Sequence, residues 1–180
     1  MFKIILYKTA NRSTKIFKKI NILYFVGEKS GILTDKGLIM TCFKAFFRLN
    51  YKRSFMKSIS ILGSTGSIGV NTLKVVEHLH GEFRVVALGA GGNVDVLADQ
   101  IKLFQPELVA VKDELCAENL LKKLHQLDAK IPNIELNEKG LIQVATHEEA
   151  QIVVSATVGA VGFVLTLRAI EAGKRIALAN

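Results

Sequence analysis

The sequence predicts an α/β protein whose mostly parallel sheet is doubly wound by helices. From Lys57 onward, short apolar runs alternate with segments of helical periodicity, which is the pattern of parallel strands joined by crossover helices. The stretch GSTGSIG at 63–69 places three glycines three apart, directly after the apolar run SISIL. A glycine turn between a strand and a helix is typical of Rossmann-like nucleotide-binding domains.

Charge divides the 180 residues at Met56. Residues 1–55 carry 12 Lys or Arg against two acidic side chains, a net charge of +10, whereas residues 56–180 carry 12 basic against 14 acidic side chains, a net charge of −2. The overall +8 therefore belongs to the leader, and we expect no nucleic-acid partner. We expect two parts: a basic N-terminal extension (1–55) of uncertain structure and poor order, and a Rossmann-like domain (56–180).

The basic leader has three interpretations. It is a non-native extension upstream of Met56, an organelle transit peptide, or a helix that binds a membrane surface or a partner. Its longest apolar stretch, ILYFV at 22–26, is far shorter than the roughly 20 residues that span a bilayer, so no membrane span is expected. Cys42 and Cys116 form no metal or disulfide pattern, which favours the cytoplasm, with a plastid as the alternative.

Each element of the first half of the domain follows from its pattern. KSISIL (57–62) predicts a strand, and SIGVNTLKVVEHL (67–79) predicts a helix. The apolar residues near one face of that helix are Ile68, Leu73, Val76 and Leu79. FRVVAL (83–88) predicts the second strand, followed by a helix over 94–104 and a strand ELVAVK (107–112) introduced by Pro106.

The second half of the domain repeats the alternation. A helix is indicated by the spacing of Leu115, Leu120, Leu121 and Leu124. After shorter pieces around Pro132, the sequence predicts a strand QIVVSA (151–156), a helix GFVLTLRAIEAG (162–173) closed by Gly173, and a last strand KRIALAN (174–180). Right-handed crossovers fit this order.

The glycine turn suits a phosphate group. Gly63 permits a tight turn, Gly66 lets the backbone approach a phosphate without a Cβ, and Gly69 lets the helix pack closely on the sheet. The free N–H groups at the helix start and the helix dipole favour a pyrophosphate, and Ser64, Thr65 and Ser67 add hydroxyl donors.

The loop after the second strand normally binds the ribose. An NAD site places Asp or Glu there, but this loop is GAGGN (89–93) and its first acid is Asp95. That absence disfavours NAD. An NADP site favours Arg or Lys, and neither is present, so Asn93 and backbone N–H groups remain to bind the nucleotide. A flexible glycine connection is the alternative interpretation.

The reaction is not fixed by the turn alone. Short-chain dehydrogenases need a Tyr-x-x-x-Lys pair, and no tyrosine follows Tyr51. A non-catalytic dinucleotide-binding module and other Rossmann reductases, such as homoserine or semialdehyde dehydrogenases, remain open.

Four blocks in order, ILGSTGSIG, FRVVALGAGGNV, VVSATVGAVGF and AGKRIALAN, closely resemble the N-terminal, NADPH-binding domain of the 1-deoxy-D-xylulose 5-phosphate reductoisomerases. The resemblance covers residues 57–180. It implies isomerisation of 1-deoxy-D-xylulose 5-phosphate and reduction by NADPH to 2-C-methyl-D-erythritol 4-phosphate in non-mevalonate isoprenoid biosynthesis. It also implies a homodimer that uses Mg²⁺ or Mn²⁺.

The resemblance also implies cofactor contacts. At the pyrophosphate and nicotinamide side it implies Thr65, Gly66, Ser67 and Ile68. At the adenosine ribose and its phosphate it implies Gly91, Gly92 and Asn93, and near the nicotinamide end it implies Asn180. Two departures stand out, because many members have Lys or Arg in place of Gly92 and a Pro is frequent in place of Leu165.

In the family, the metal-binding carboxylates and the residues that hold the substrate phosphate follow the block that ends this sequence. We therefore expect this chain alone to be inactive, with no catalytic or metal-binding residues of its own. The acids Glu148 and Glu149, and likewise Asp113 and Glu114, are expected to be solvated turn and helix-start residues.

Overall fold

The computed structural model describes residues 3–6, 22–26 and 56–179. Within these residues, eight strands form one sheet in the order β1-β2-β8-β7-β3-β4-β5-β6. Their bounds are β1 Lys3–Leu6, β2 Ile22–Val26, β3 Lys57–Leu62, β4 Phe83–Gly89, β5 Leu108–Val111, β6 Asn133–Leu136, β7 Ile152–Ser155 and β8 Arg175–Ala179. The six strands from β3 to β8 all run parallel.

Five helices connect the parallel strands in the described part of the chain. Their bounds are α1 Ser67–His78, α2 Val94–Phe104, α3 Glu114–Gln126, α4 Asn137–Thr146 and α5 Gly159–Glu171. None of these helices is long and apolar enough to cross a bilayer.

The strand order reverses beside β3. From β3 the chain adds β4, β5 and β6 on one side, and then returns to add β7 and β8 on the other side. The carboxyl ends of β3 and β7 therefore flank the topological switch point, where open α/β sheets bind their ligands.

The sheet is covered on both faces. Helices α1, α2 and α3 pack over one face with Ile59 and Ile61 of β3, whereas α4 and α5 pack over the other face with Leu62. Strands buried on both faces need apolar residues at consecutive positions, which explains why this part of the sequence contains short continuous apolar runs.

The predicted α/β class is confirmed, and β3 and α2 have the predicted bounds. Two elements were missed: β6 and α4 occupy the region expected to hold only shorter pieces. Helix α5 begins at Gly159, before the predicted start at residue 162. Two apolar side chains that contributed to the predicted helical patterns, Ile68 and Leu115, are 42% and 67% exposed.

Two segments of the leader, β1 and β2, form strands. β2 pairs in parallel with β8, and β1 pairs antiparallel with β2. The rest of the leader lies outside the described residues, so its three interpretations stay predictions.

Candidate dinucleotide-binding site

The turn after β3 is held by the end of the neighbouring strand β4. The backbone N–H groups of Gly63 and Ser64 both donate to the carbonyl of Gly89, over 2.8 and 2.9 Å. The N–H of Gly66 donates back to the carbonyl of Gly63 over 3.1 Å. Gly63 has φ +79°, a conformation that glycine adopts without strain.

The three glycines of the turn are needed for different reasons. A Cβ on Gly63 would lie 2.7 Å from the carbonyl oxygen of Ala156, in the neighbouring turn after β7. A Cβ on Gly69 would lie 2.3 Å from the Gly63 carbonyl oxygen and 2.6 Å from that of Ser64. Gly69 thus packs α1 against its own turn, whereas we expected it to pack the helix on the sheet.

Gly66 is different because it faces open space. A Cβ there would meet only the Gly63 carbonyl oxygen, at 3.4 Å, which is ordinary contact. Gly66 is exposed, together with Ser67 and Ile68, while Thr65 is half-buried and Ser64 is fully buried. The turn thus leaves room beside Gly66, and the hydroxyl of Ser64 lies inside the protein, not at the surface where we expected a donor.

The start of α1 lacks the usual capping groups. Its N-cap is Gly66, no side chain caps it, and its first turn contains no acid. By contrast, Asn93 and Asp113 cap α2 and α3, each of which has an acid in its first turn. The free N–H groups and the positive end of the dipole at α1 suit an anion such as a phosphate.

The loop after β4 is open where an adenosine ribose is expected. Gly91 and Gly92 are exposed, and a Cβ at either position would meet no atom within 4 Å. The side-chain oxygen of Asn93 accepts a hydrogen bond from the N–H of Val96 over 3.3 Å. Its amide nitrogen has no hydrogen bond among the described residues, so it can still donate to a ligand.

The two predicted halves of the site are adjacent. Gly89 accepts the hydrogen bonds of the glycine turn and is followed directly by the loop that contains Gly91, Gly92 and Asn93. Asn180, the eighth predicted contact, lies outside the described residues.

A second glycine turn, which was not predicted from the sequence, lies at the switch point. It follows β7, and a Cβ on Gly162 would lie 2.5 Å from the carbonyl oxygen of Thr157. The helix it starts, α5, also has no side-chain cap and no acid in its first turn. The spacing of Gly159 and Gly162 after a buried strand repeats the spacing of the first turn, and this signal could have revealed it.

Of the acids considered for catalysis, Asp113 and Glu149 make side-chain contacts that are structural. Asp113 accepts a hydrogen bond from the backbone N–H of Cys116 over 2.9 Å, and this bond lowers the pKa of its carboxyl group. Glu149 binds Arg84 over 2.9 Å, and Arg84 also binds Glu107. Among the described residues, no group of three or more His, Cys, Asp or Glu could hold a metal ion.

A pocket of about 400 Å³ lies at the amino ends of the strands, on the opposite side of the sheet from the glycine turn. Its lining includes Glu107, Asn133 and His147, at the amino ends of β5 and β6 and after α4. It has no glycine turn and no free helix start, since those lie at the carboxyl ends of the strands. The glycine turn is therefore the better candidate site.

A parallel sheet with a glycine turn and an uncapped helix start at its switch point defines a dinucleotide-binding domain of the doubly wound class. The family model for 1-deoxy-D-xylulose 5-phosphate reductoisomerase matches residues 59–180. The chain therefore belongs to the 1-deoxy-D-xylulose 5-phosphate reductoisomerase family.

Individual relatives agree with the family match. The chain is 53% identical over 124 residues to the chloroplastic 1-deoxy-D-xylulose 5-phosphate reductoisomerase of Oryza sativa subsp. japonica. This match covers 69% of the chain and 26% of the relative. The chain is also 53% identical over 126 residues to the Geotalea uraniireducens (strain Rf4) enzyme, with 69% and 32% covered.

A solved structure also matches. The crystal structure of DOX-P reductoisomerase in complex with NADPH, fosmidomycin and magnesium superposes with a TM-score of 0.62 at 35% identity, covering 67% of this chain and 29% of the other. The chain thus spans about a quarter to a third of the length of the relatives it matches.

Proposed function

We propose that residues 57–180 bind NADPH as the cofactor domain of a 1-deoxy-D-xylulose 5-phosphate reductoisomerase. The observation that carries this proposal is the uncapped, acid-free start of α1 beside the open space at Gly66, in a chain of this family. Relatives include a structure in complex with NADPH. The cofactor supplies a hydride when bound, and the chain's own residues bind and orient it.

Each part of the turn has a proposed role. The backbone N–H groups of Thr65, Ser67 and Ile68 donate to the pyrophosphate, and Gly66 leaves the room that it needs. The exposed side chain of Ile68 gives an apolar surface on the nicotinamide side, which accounts for an apolar residue exposed at a helix start.

The loop after β4 binds the other end of the cofactor. We assign the backbone of Gly91 and Gly92, together with the amide nitrogen of Asn93, to the adenosine ribose and its 2′-phosphate. No acid in this loop repels that phosphate, and no base attracts it. No charged side chain of this loop therefore contributes to the preference for NADPH over NADH. We expect that preference to be modest, with an affinity ratio of less than about tenfold. Asn180 is assigned to the nicotinamide end by the family resemblance.

The reaction is proposed for the complete reductoisomerase. It converts 1-deoxy-D-xylulose 5-phosphate to 2-C-methyl-D-erythritol 4-phosphate with Mg²⁺ or Mn²⁺, in a homodimer that needs neither a membrane nor a nucleic acid. We propose the cytoplasm as its location, with a plastid as the alternative because a plant relative is chloroplastic. Imaging a fluorescent fusion to residues 1–55 distinguishes the two.

Titration of the 180-residue chain with NADPH and NADH tests the cofactor assignment. The fluorescence of the reduced nicotinamide should change saturably with both, and NADPH should bind more tightly. Binding of neither cofactor would refute the proposal, and tighter binding of NADH would overturn the preference for NADPH.

A further inference from the structure

The side chain of Gln100 reaches from α2 to the glycine turn. Gln100 is only 7% exposed, on the side of α2 that also buries Leu97 and Ile101. Its amide nitrogen donates to the backbone carbonyl of Ser64 over 2.8 Å, a contact between residues 36 positions apart in the sequence. A polar side chain buried to this degree is held in place by its hydrogen bond.

The Gln100 amide supplies the hydrogen bond that the buried Ser64 carbonyl accepts. Ser64 is fully buried, and among the described residues its carbonyl has no other hydrogen-bond donor. The peptide unit that contains this carbonyl also contains the N–H of Thr65, which points away from it because the unit is planar. Because Gln100 holds the Ser64 carbonyl toward α2, it also fixes the Thr65 N–H in the opposite direction.

Two further polar atoms lie unpaired at this contact. The hydroxyl oxygen of Ser64 and the side-chain oxygen of Gln100 are both buried without a hydrogen-bond partner in the described part of the chain. Buried polar atoms without partners are costly, so the bond from the Gln100 amide nitrogen is the one that holds this side chain among the described residues.

Helix α2 also begins at the loop assigned to the adenosine ribose. Its N-cap is Asn93, and Gln100 lies two turns further along the same helix. One rigid helix thus carries the end of the ribose loop and the group that fixes the glycine turn.

We propose that Gln100 is a positioning residue for the pyrophosphate, acting through the backbone of Ser64 and Thr65. It does not contact the cofactor. The proposal rests on the proposed function, because it assumes that the glycine turn binds the pyrophosphate of NADPH.

Substitution of Gln100 by Met tests this role in the full 180-residue chain. Met has similar length and packs well among apolar neighbours, but it cannot donate a hydrogen bond. Gln126→Met is the matched control, because Gln126 is exposed at the end of α3. Both variants and the wild type are titrated with NADPH and with adenosine 2′-monophosphate, which lacks the pyrophosphate, at a temperature where circular dichroism shows that they are folded.

Gln100→Met is expected to weaken NADPH binding about tenfold and to leave the affinity for adenosine 2′-monophosphate unchanged. Gln126→Met should change neither. A residue that only supports folding would lower the melting temperature without changing the ratio of the two affinities. If the Met variant does not fold, Gln100→Leu, which is shorter and introduces neither a charge nor a hydrogen-bond donor, should change the ratio in the same direction.

The two proposals fail separately. A wild-type chain that binds neither ligand refutes the proposed function. A wild-type chain that binds NADPH, with a folded Gln100 variant that keeps the wild-type ratio of affinities, refutes the positioning role alone.

Discussion

Replacement of Gly69 by Ala should disrupt the glycine turn without removing any side chain. The added methyl group would lie 2.3 Å from the carbonyl oxygen of Gly63 and 2.6 Å from both the Cα and the carbonyl oxygen of Ser64. All three atoms belong to the backbone of a turn that hydrogen bonds to Gly89 hold in place. The turn cannot relax by rotating a side chain, so its backbone must move.

The expected loss of stability combines two opposing effects. Overpacking a well-packed site costs about 1–3 kcal/mol, and the upper end applies because only backbone atoms clash. Alanine is favoured over glycine within a helix by at most about 1 kcal/mol, and Gly69 lies in the first turn of α1. The net loss in the free energy of unfolding is therefore about 2 kcal/mol, which lowers the melting temperature of a domain of this size by roughly 5–10 °C.

Urea unfolding of the 180-residue chain, followed by circular dichroism, measures this loss. Gly66→Ala is the matched control, because a Cβ there would meet its nearest atom at 3.4 Å. It should change the free energy of unfolding by less than about 1 kcal/mol. A Gly69→Ala variant as stable as the wild type would show that α1 does not pack against its turn in this way.

Three further substitutions test the site and the helix caps. Gly66→Ala should weaken NADPH binding at least about tenfold, because its methyl group fills the room for the phosphate; unchanged affinity in calorimetry would contradict the assignment. Gly92→Arg should raise NADPH affinity about tenfold over NADH, since a guanidinium fits the open loop and pairs with the 2′-phosphate; an equal gain for NADH would argue against it. The Cys116 N–H lowers the pKa of Asp113, so its cap stabilises α3 above the ordinary pKa of 3.8 and is lost as the pH falls through the lowered value. In Asp113→Asn, which caps without titrating, hydrogen exchange of α3 should lose less protection in acid than in the wild type; equal losses would contradict this.

The parallel strands could be predicted because burial on both faces leaves a local signal. Each of β3, β4, β5 and β7 has at least four consecutive buried residues, most of them apolar. Strand β6 was missed because it is an edge strand whose residues are exposed or half-buried, so its sequence, NIEL, has no apolar run. Helix α4 was missed because Asn137 follows β6 with no connecting loop, at φ +60°.

The candidate site was predicted only in part. The spacing of Gly63, Gly66 and Gly69 revealed the turn, but not that Gly69 packs against the turn itself. The contact of Gln100 with Ser64 joins residues far apart in the sequence, and such a contact leaves no local pattern. The spacing of Gly159 and Gly162 left a local pattern, but the position of this turn at the switch point follows only from the pairing of β7 with β3.

Hydrogen exchange of the 180-residue chain with and without saturating NADPH tests the central claim most directly. Binding at the switch point should slow exchange in peptides that contain Thr65–Ile68 and Gly91–Asn93. Peptides that line the pocket at Glu107 and His147 should exchange as before. Slower exchange at that pocket, with no change at the glycine turn, would contradict the assignment of this turn as the cofactor site.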